Sequence, residues 1–199
     1  MALSPDTKIY KNQPESGELD ITNGQKFQVE GATLTAVHTP GHTVDHMVLL
    51  LEEEDAMFTG DNVLGHGTAV FEDLGTYLAS LEQMKSLFKG RAYPGHGPVL
   101  ADGPSKISEY ILHRRQREEQ VIQTLRSSKV DGLAASNGGD NNDAWDVLEL
   151  VRIIYKGVPE TLYPAAAGGV LQVLQKLEKE GKVSLQDDRW RLKVRRSPL

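Results

Sequence analysis

The sequence contains no cysteine, and this absence limits its chemistry. A chain without thiols forms no disulfide framework and offers neither a cysteine nucleophile nor a thiolate ligand. Any metal must therefore be held by histidine, aspartate or glutamate. With 39% hydrophobic and 25% charged residues among 199, the chain otherwise has the composition of one or two globular domains.

Long apolar runs are also absent from the sequence. The longest, Met47–Leu51, has the length of a strand, whereas a membrane-spanning helix needs about 20 apolar residues. The first eleven residues, MALSPDTKIYK, lack the apolar core of a signal peptide and the arginines of a transit peptide. We therefore expect no membrane association and a cytoplasmic location, or a mitochondrial one if a targeting segment precedes these residues.

Positive charge is scarce in the first half of the chain. Residues 1–104 contain 6 Lys and Arg against 15 Asp and Glu, whereas residues 105–199 contain 16 against 13. The acidic first half disfavours nucleic acid binding there, and the mildly basic second half leaves it open. We predict two domains, 1–104 and 105–199.

The first domain shows the pattern of a layered α/β fold. Strand-length apolar runs cover residues 33–38, 47–51 and 56–59, and the acidic turn 52–55 between the last two is interpreted as solvated. Helical spacing then predicts a helix over 73–89 with Asp73 as its N-cap, followed by a short strand at Ala92-Tyr93. Ligands of such folds gather beside the strand ends, so the glycine loops that follow the strands are where we expect chemistry.

The second domain is mostly helical. The pattern predicts a long helix over 104–127, a loop over 137–142, a helix capped by Asp143, and a further helix that ends before Gly181. Alternating residues then predict a hairpin over 183–194. Helices followed by a hairpin indicate a winged-helix-like module.

Two histidines and an aspartate stand in glycine loops directly after predicted strands. His42 and His96 each follow Pro-Gly, and Asp61 follows Gly60. Glycine permits a positive φ and a close backbone approach, which turns the next side chain outward at the strand end. Imidazoles with a carboxylate suit Zn²⁺, and the two oxygens of a carboxylate can bridge a metal pair. This pattern predicts a hydrolytic metal site.

These three motifs, in this order and spacing, resemble the metallo-β-lactamase superfamily, in particular its glyoxalase-II-like hydrolases. Residues 42–47, 58–65 and 67–74 are similar to the beta-lactamase-like endoribonuclease of mitochondria, and equally to the thioesterases that free polyketides from acyl carrier proteins. Residues 150–156 and 174–182 resemble the winged-helix-like module of the same group. The resemblance implies the C-terminal half of a metallo-β-lactamase αββα sandwich, followed by this module.

The resemblance also implies a dinuclear zinc hydrolase. In that family His42 would bind the first zinc, Asp61 would bridge both ions at the catalytic centre, and His96 would bind the second. The family's first signature, His-x-His-x-Asp-His, supplies four of its seven ligands and is absent from these residues. We therefore expect a truncated hydrolase with weak metal binding and little activity alone, or a non-catalytic scaffold, and leave open whether this chain is an enzyme.

Half of a sandwich also leaves an apolar sheet face without its usual cover. We therefore expect a homo-oligomer or a partner chain on that face. Five further residues are expected beside the metal site, either lining a pocket or supporting the ligands: His38, Thr43, His46, His66 and Tyr93.

Two substrate classes are consistent with the resemblance. One is a thioester, on a small molecule or an acyl carrier protein, which the acidic first half favours. The other is single-stranded RNA, whose phosphates would need the basic residues Arg114, Arg115 and Arg117 or the terminal 193–196. The neighbouring Glu118 and Glu119 dilute this positive charge, so a solvated helix face is the favoured interpretation of the arginines.

Overall fold

The computed structural model describes residues 7–127 and 144–193. The chain divides into two compact units, Met1–Leu112 and His113–Leu199. Four features of the sequence analysis lie outside the described residues: the first six residues of the N-terminal stretch, the predicted loop 137–142, the predicted cap Asp143, and residues 194–196 of the predicted hairpin and terminal basic cluster.

A five-stranded sheet organises the first unit. After the short parallel pair β1 and β2, the sheet has the order β3-β4-β5-β6-β7. Neighbours are antiparallel except β6 and β7, which are parallel because helix α1 connects them. The three predicted strands are confirmed, with ends that differ by at most one residue. The strands are β1 (Tyr10–Lys11), β2 (Leu19–Asp20), β3 (Lys26–Val29), β4 (Ala32–His38), β5 (Met47–Leu51), β6 (Ala56–Gly60) and β7 (Ala92–Pro94).

The two faces of this sheet differ in burial. Successive side chains of a strand point to opposite faces. Val48, Met57 and Ala92 are fully buried on one face. On the other face Leu49, Phe58 and Tyr93 are cross-strand neighbours, and Phe58 is 40% exposed. One face of the sheet is therefore a closed core, and the other is apolar and partly open.

Helices α1 (Leu74–Leu87) and α2 (Gly103–Arg126) confirm the predicted helices. The Asp73 carboxylate accepts a hydrogen bond from the Thr76 backbone N–H at 2.8 Å, which satisfies one of the free donors at the start of α1. The buried apolar side chains of α1 are Leu74, Tyr77, Leu81 and Met84.

The acidic turn between β5 and β6 is exposed, as predicted, and is also attached to the neighbouring strands. Glu52–Glu54 form a short 3-10 helix, and their exposed carboxylates accept hydrogen bonds from those strands. Glu52 accepts hydrogen bonds from Lys26 at 2.6 Å and from the Thr35 hydroxyl at 2.7 Å. Glu53 accepts from a backbone N–H of β4, and Glu54 accepts from the hydroxyl of a β7 tyrosine. The turn is therefore solvated, as predicted, and its glutamates add hydrogen bonds to the sheet.

The second unit contains α3 (Val147–Ile154), a 3-10 turn (Glu160–Leu162), α4 (Tyr163–Lys179), and the hairpin of β8 (Val183–Gln186) and β9 (Arg189–Leu192). The two residues of the hairpin turn both have positive φ, as a tight hairpin turn requires. Helix α3 begins after Asp146, three residues beyond the predicted cap, because Asp146 and Glu149 form a reciprocal capping box. Among the described residues, no helix combines the length and apolarity needed to cross a membrane.

Candidate metal site

The three predicted ligands lie together beyond the ends of β4, β6 and β7. His42 is in the loop after β4, Asp61 directly follows β6, and His96 is two residues beyond β7. The side chain of Asp61 lies between the two imidazoles. The fold thus brings to one edge of the sheet three residues that are up to 54 positions apart in sequence.

A tight packing contact fixes the loop that carries His42. Gly41 has a φ of 132°, and a Cβ atom at this position would lie 2.4 Å from the Cα of Tyr77. Only glycine permits this approach to α1. The Ser80 hydroxyl further secures the loop by donating to the carbonyl of Pro40 at 2.7 Å.

The imidazole of His42 is oriented by a backbone carbonyl. Its Nδ1 lies 2.8 Å from the carbonyl oxygen of Val70, and the side chain is only 20% exposed. A carbonyl accepts but does not donate, so Nδ1 carries a proton and donates it to Val70, which leaves Nε2 for another partner. This arrangement is the one by which proteins commonly orient a metal-ligating histidine.

Two glycines make room for the Asp61 side chain. Gly60 has a φ of 51°, which turns the chain at the end of β6. A Cβ atom on Gly95 would lie 2.6 Å from Oδ1 of Asp61, so the carboxylate occupies the space that this glycine leaves free. The Gly95 backbone N–H donates to the Gly60 carbonyl at 2.9 Å and links the two loops.

The carboxylate of Asp61 directs one oxygen toward each imidazole. Oδ2 lies 3.9 Å from Nε2 of His42, and Oδ1 lies 3.6 Å from Nε2 of His96. Both distances are longer than a hydrogen bond. They are similar to the distance between two ligand atoms of one metal ion when each metal–ligand bond is about 2.0 to 2.2 Å long. Two imidazoles and a carboxylate are groups of the kinds that bind zinc in proteins. The donors therefore fit zinc in kind.

The number of donors is smaller than a complete site needs. Within residues 7–127 and 144–193, no three His, Asp or Glu side chains form a group that could hold one metal ion. The predicted ligands instead form two pairs that share Asp61, and each pair offers two protein ligands where zinc normally has at least three.

A further histidine lies behind these ligands. Nε2 of His46 accepts a hydrogen bond from the Asp61 backbone N–H at 3.2 Å, and Nδ1 lies 3.1 Å from the Thr39 hydroxyl. The ring also meets that of His42 edge-on, with centroids 5.8 Å apart. Burial lowers the pKa of His46 to about 4, so the ring is neutral at neutral pH.

Sequence reasoning missed Asn62, which is fully buried beside the site. The side-chain Nδ2 of Asn62 donates to the carbonyl of Thr39 at 2.8 Å, and the backbone carbonyl of Asn62 accepts from the hydroxyl of Tyr77 at 2.6 Å. Asn62 thus connects the loops of His42 and Asp61 to α1. No local pattern distinguishes it from a solvated asparagine next to Asp61, because both partners are distant in sequence.

Three of the other four predicted residues have partners outside the two imidazole–carboxylate pairs, and the fourth is exposed. Nε2 of His38 lies 2.9 Å from the Val44 carbonyl, and the Thr43 hydroxyl donates to Asp45 at 2.7 Å, which lowers the pKa of that carboxyl group. His66 is exposed on its glycine loop. Tyr93 donates to Glu54 at 2.6 Å and stacks on Phe58.

The predicted basic residues lie on α2. The guanidinium carbon of Arg117 is 4.2 Å from the centroid of the Tyr155 ring, a cation–π contact within the second unit. Arg114 and Arg115 also have interactions within the protein. Each of the three arginines therefore has an interaction within the protein.

The sequence matches two known protein families. Residues 3–96 match the metallo-beta-lactamase superfamily, and residues 147–190 match the beta-lactamase associated winged helix domain. The chain thus contains a metallo-β-lactamase superfamily domain, followed by the associated winged helix domain. The resemblance stated from the motifs and the predicted fold class are thereby confirmed.

Fungal members of the superfamily are similar over nearly all of this chain. The lactamase-like protein adaB of Aspergillus niger is 46% identical over 188 residues, which are 92% of this chain and 59% of that protein. The lactamase-like protein aptB of Emericella nidulans is 45% identical over 195 residues, which are 96% of this chain and 62% of that protein. The chain thus spans about three fifths of the length of these curated relatives.

Solved metallo-β-lactamase structures show the same fold. A beta-lactamase domain protein from Burkholderia ambifaria has a TM-score of 0.72 at 19% identity, and the match covers 90% of this chain and 53% of that protein's chain. A metallo-beta-lactamase family protein from Thermus thermophilus has a TM-score of 0.67 at 24% identity, and the match covers 90% of this chain and 56% of that protein's chain. These similarities concern the fold and not the reaction.

Proposed function

We propose that this chain supplies part of the ligand set of a dinuclear zinc hydrolase. The observation that supports this is the Asp61 carboxylate, with one oxygen 3.9 Å from Nε2 of His42 and the other 3.6 Å from Nε2 of His96. In a solvated surface cluster, nothing requires the carboxylate to direct one oxygen toward each imidazole. A carboxylate that bridges two metal ions requires this arrangement.

Each residue has a separate task in this proposal. Bound zinc would lower the pKa of its water toward about 7 and polarise a carbonyl or phosphoryl oxygen. His42 presents Nε2 because the Val70 carbonyl holds its Nδ1 proton. Asp61 places negative charge between the two imidazoles, and His96, 69% exposed, approaches from the third loop.

The ligand count sets the expected strength of the site. With two protein ligands for each ion, we expect weak zinc binding and little hydrolysis by these residues alone. In the active protein, as proposed, a segment with the His-x-His-x-Asp-His signature supplies the remaining ligands. A non-catalytic scaffold is the alternative if no such segment joins the site.

We propose a thioester, on a small molecule or an acyl carrier protein, as the substrate. The motifs resemble those of polyketide thioesterases, and the first half of the chain is strongly acidic, which repels the phosphates of RNA. The stacking of Arg117 on Tyr155 also argues against the arginines of α2 as an RNA surface. If RNA is bound after all, its affinity for this chain will fall steeply with salt concentration.

The open face of the sheet supports a further proposal on partners. Leu49, Phe58 and Tyr93 form an apolar, partly exposed row across β5, β6 and β7. We expect a partner chain or a second copy to cover this row. Sedimentation of the purified chain tests this: a monomer that stays monodisperse at high concentration would contradict it.

Zinc content is the direct test of the proposed function. The chain is purified without chelators and dialysed to equilibrium against added zinc, so that a weak site is also filled. Bound zinc is then measured by elemental analysis in the wild type, in Asp61→Ala and, as control, in His113→Ala, which removes an exposed histidine of the second unit. We expect zinc in the wild type and in His113→Ala and its loss in Asp61→Ala. Equal zinc in all three proteins, or none in the wild type, contradicts the proposal.

A further inference from the structure

His46 is placed to hold the backbone of a metal ligand rather than to bind metal itself. Its Nε2 accepts the Asp61 backbone N–H, and its Nδ1 faces the Thr39 hydroxyl. Both ring nitrogens are therefore already engaged within the protein. Coordination by either nitrogen would break one of these hydrogen bonds.

The donor and acceptor roles in this contact follow from chemistry. A backbone N–H can only donate, so Nε2 of His46 is unprotonated and the ring proton is on Nδ1, directed at Thr39. The strand end leaves no room for a bulkier residue, since a Cβ atom on Gly60 would lie 2.7 Å from Nε2 of His46. Glycine at this position thus permits the contact between ring and backbone.

The same ring also supports the loop of the first imidazole. It meets the ring of His42 edge-on, and Thr39 belongs to the loop that leads to His42. The Thr39 carbonyl in turn accepts from the buried amide of Asn62, the residue after Asp61. A closed set of hydrogen bonds therefore connects the loops of His42 and Asp61, and His46 joins them directly.

We infer that His46 is a positioning residue: its Nε2 fixes the backbone of Asp61, and thereby the direction of the Asp61 carboxylate between His42 and His96. The inference rests on the proposed function for its consequence in metal binding. Its geometric part, the hydrogen bond to Asp61, can be tested without metal. Supporting groups of this kind typically change metal affinity about 10- to 100-fold when removed.

Two variants distinguish the contribution of Nε2 of His46 from that of Nδ1. In His46→Gln, the side-chain oxygen takes the place of Nε2 and can still accept from Asp61. In His46→Asn, the side-chain nitrogen takes the place of Nδ1 and can still reach Thr39, but nothing accepts from Asp61. Both variants lose the imidazole, so a role in packing alone predicts similar effects from both.

The readouts are zinc affinity by calorimetry and hydrogen exchange of the Asp61 amide by NMR, on the full chain. We expect faster Asp61 exchange and zinc affinity about 10- to 100-fold lower in His46→Asn, with His46→Gln close to the wild type. Equal effects in the two variants, or unchanged Asp61 exchange in His46→Asn, would overturn the inference.

The wild-type chain provides an independent check should both variants fail to fold. Long-range ¹H–¹⁵N spectra report which nitrogen of His46 carries the proton, and Nδ1 is expected. A proton on Nε2 overturns the inference. If the wild type binds no zinc, the proposed function fails, and the Asp61 exchange rates and the His46 tautomer still decide whether His46 holds Asp61.

Discussion

The two Pro-Gly-His loops share a tripeptide but are held very differently. The loop of His42 is clamped to α1 through Gly41, and its imidazole is 20% exposed with Nδ1 bound to Val70. The imidazole of His96 is 69% exposed, and this loop is secured through its backbone, with the His96 carbonyl accepting from Gly65 at 2.9 Å. The tripeptide sets the turn, while distant residues decide how firmly the imidazole is directed. The imidazole of His42 is therefore preorganised, and that of His96 is adjustable.

The largest effect is expected where the first loop meets α1. Gly41→Ala places a Cβ atom 2.4 Å from the backbone of Tyr77 and forces alanine to a φ of 132°, so we expect a loss of about 2 to 5 kcal/mol in the free energy of unfolding. Urea denaturation measures the loss. Gly24→Ala is the matched control, because Gly24 also has a positive φ but open space around it, and should cost about 1 kcal/mol. Equal losses of unfolding free energy in the two variants would show that the close contact between this loop and α1 is unimportant.

The second prediction compares how much the imidazoles of His42 and His96 contribute to zinc affinity. We expect His42→Ala to lower zinc affinity about tenfold more than His96→Ala. The reason is that ordering a freely rotating side chain costs about 0.5 to 1.5 kcal/mol, a cost that the oriented His42 avoids and the exposed His96 does not. Calorimetric titration of both variants checks this. A larger loss from His96→Ala would reverse the comparison.

The smallest effect concerns a single hydrogen bond behind the first loop. Ser80→Ala leaves the Pro40 carbonyl without the 2.7 Å hydrogen bond from Ser80, and we expect the unfolding free energy to fall by about 1 kcal/mol. Ser86→Ala removes a similar bond, to Gln83 on the exposed side of the same helix, and should change stability by less than about 0.5 kcal/mol. Thermal or urea unfolding of the pair distinguishes a tertiary clamp from a local contact.

Local sequence was sufficient to predict most of the long elements and three residues that the fold brings together. The run Met47–Leu51 is a strand with the predicted ends, and Asp73 caps α1 as expected. These features depend on neighbours within a few positions. The start of α3 at Asp146 rather than near Asp143 shows the limit of such reasoning, since several acidic residues in one segment are each able to cap a helix.

The supporting contacts of the site could not be predicted from the sequence. The Val70 carbonyl that orients His42 is 28 positions away, and a carbonyl has no residue-type signature. Asn62 is buried only because tertiary structure brings Thr39 and Tyr77 to it. The hydrogen bonds of the exposed glutamates after β5 could not be predicted for the same reason, because their partners lie on other strands. Motifs thus predict which residues form the site, and long-range packing decides how they are held.

Histidine side-chain NMR during a zinc titration tests the central claim most directly. The chain has six histidines, each of which gives its own pair of ring nitrogen signals. The account predicts that the Nε2 signals of His42 and His96 move with zinc, that those of His38, His66 and His113 do not, and that Asp61→Ala abolishes the response. Zinc-dependent shifts at His66 or His113 instead, or an unchanged response in Asp61→Ala, would contradict it.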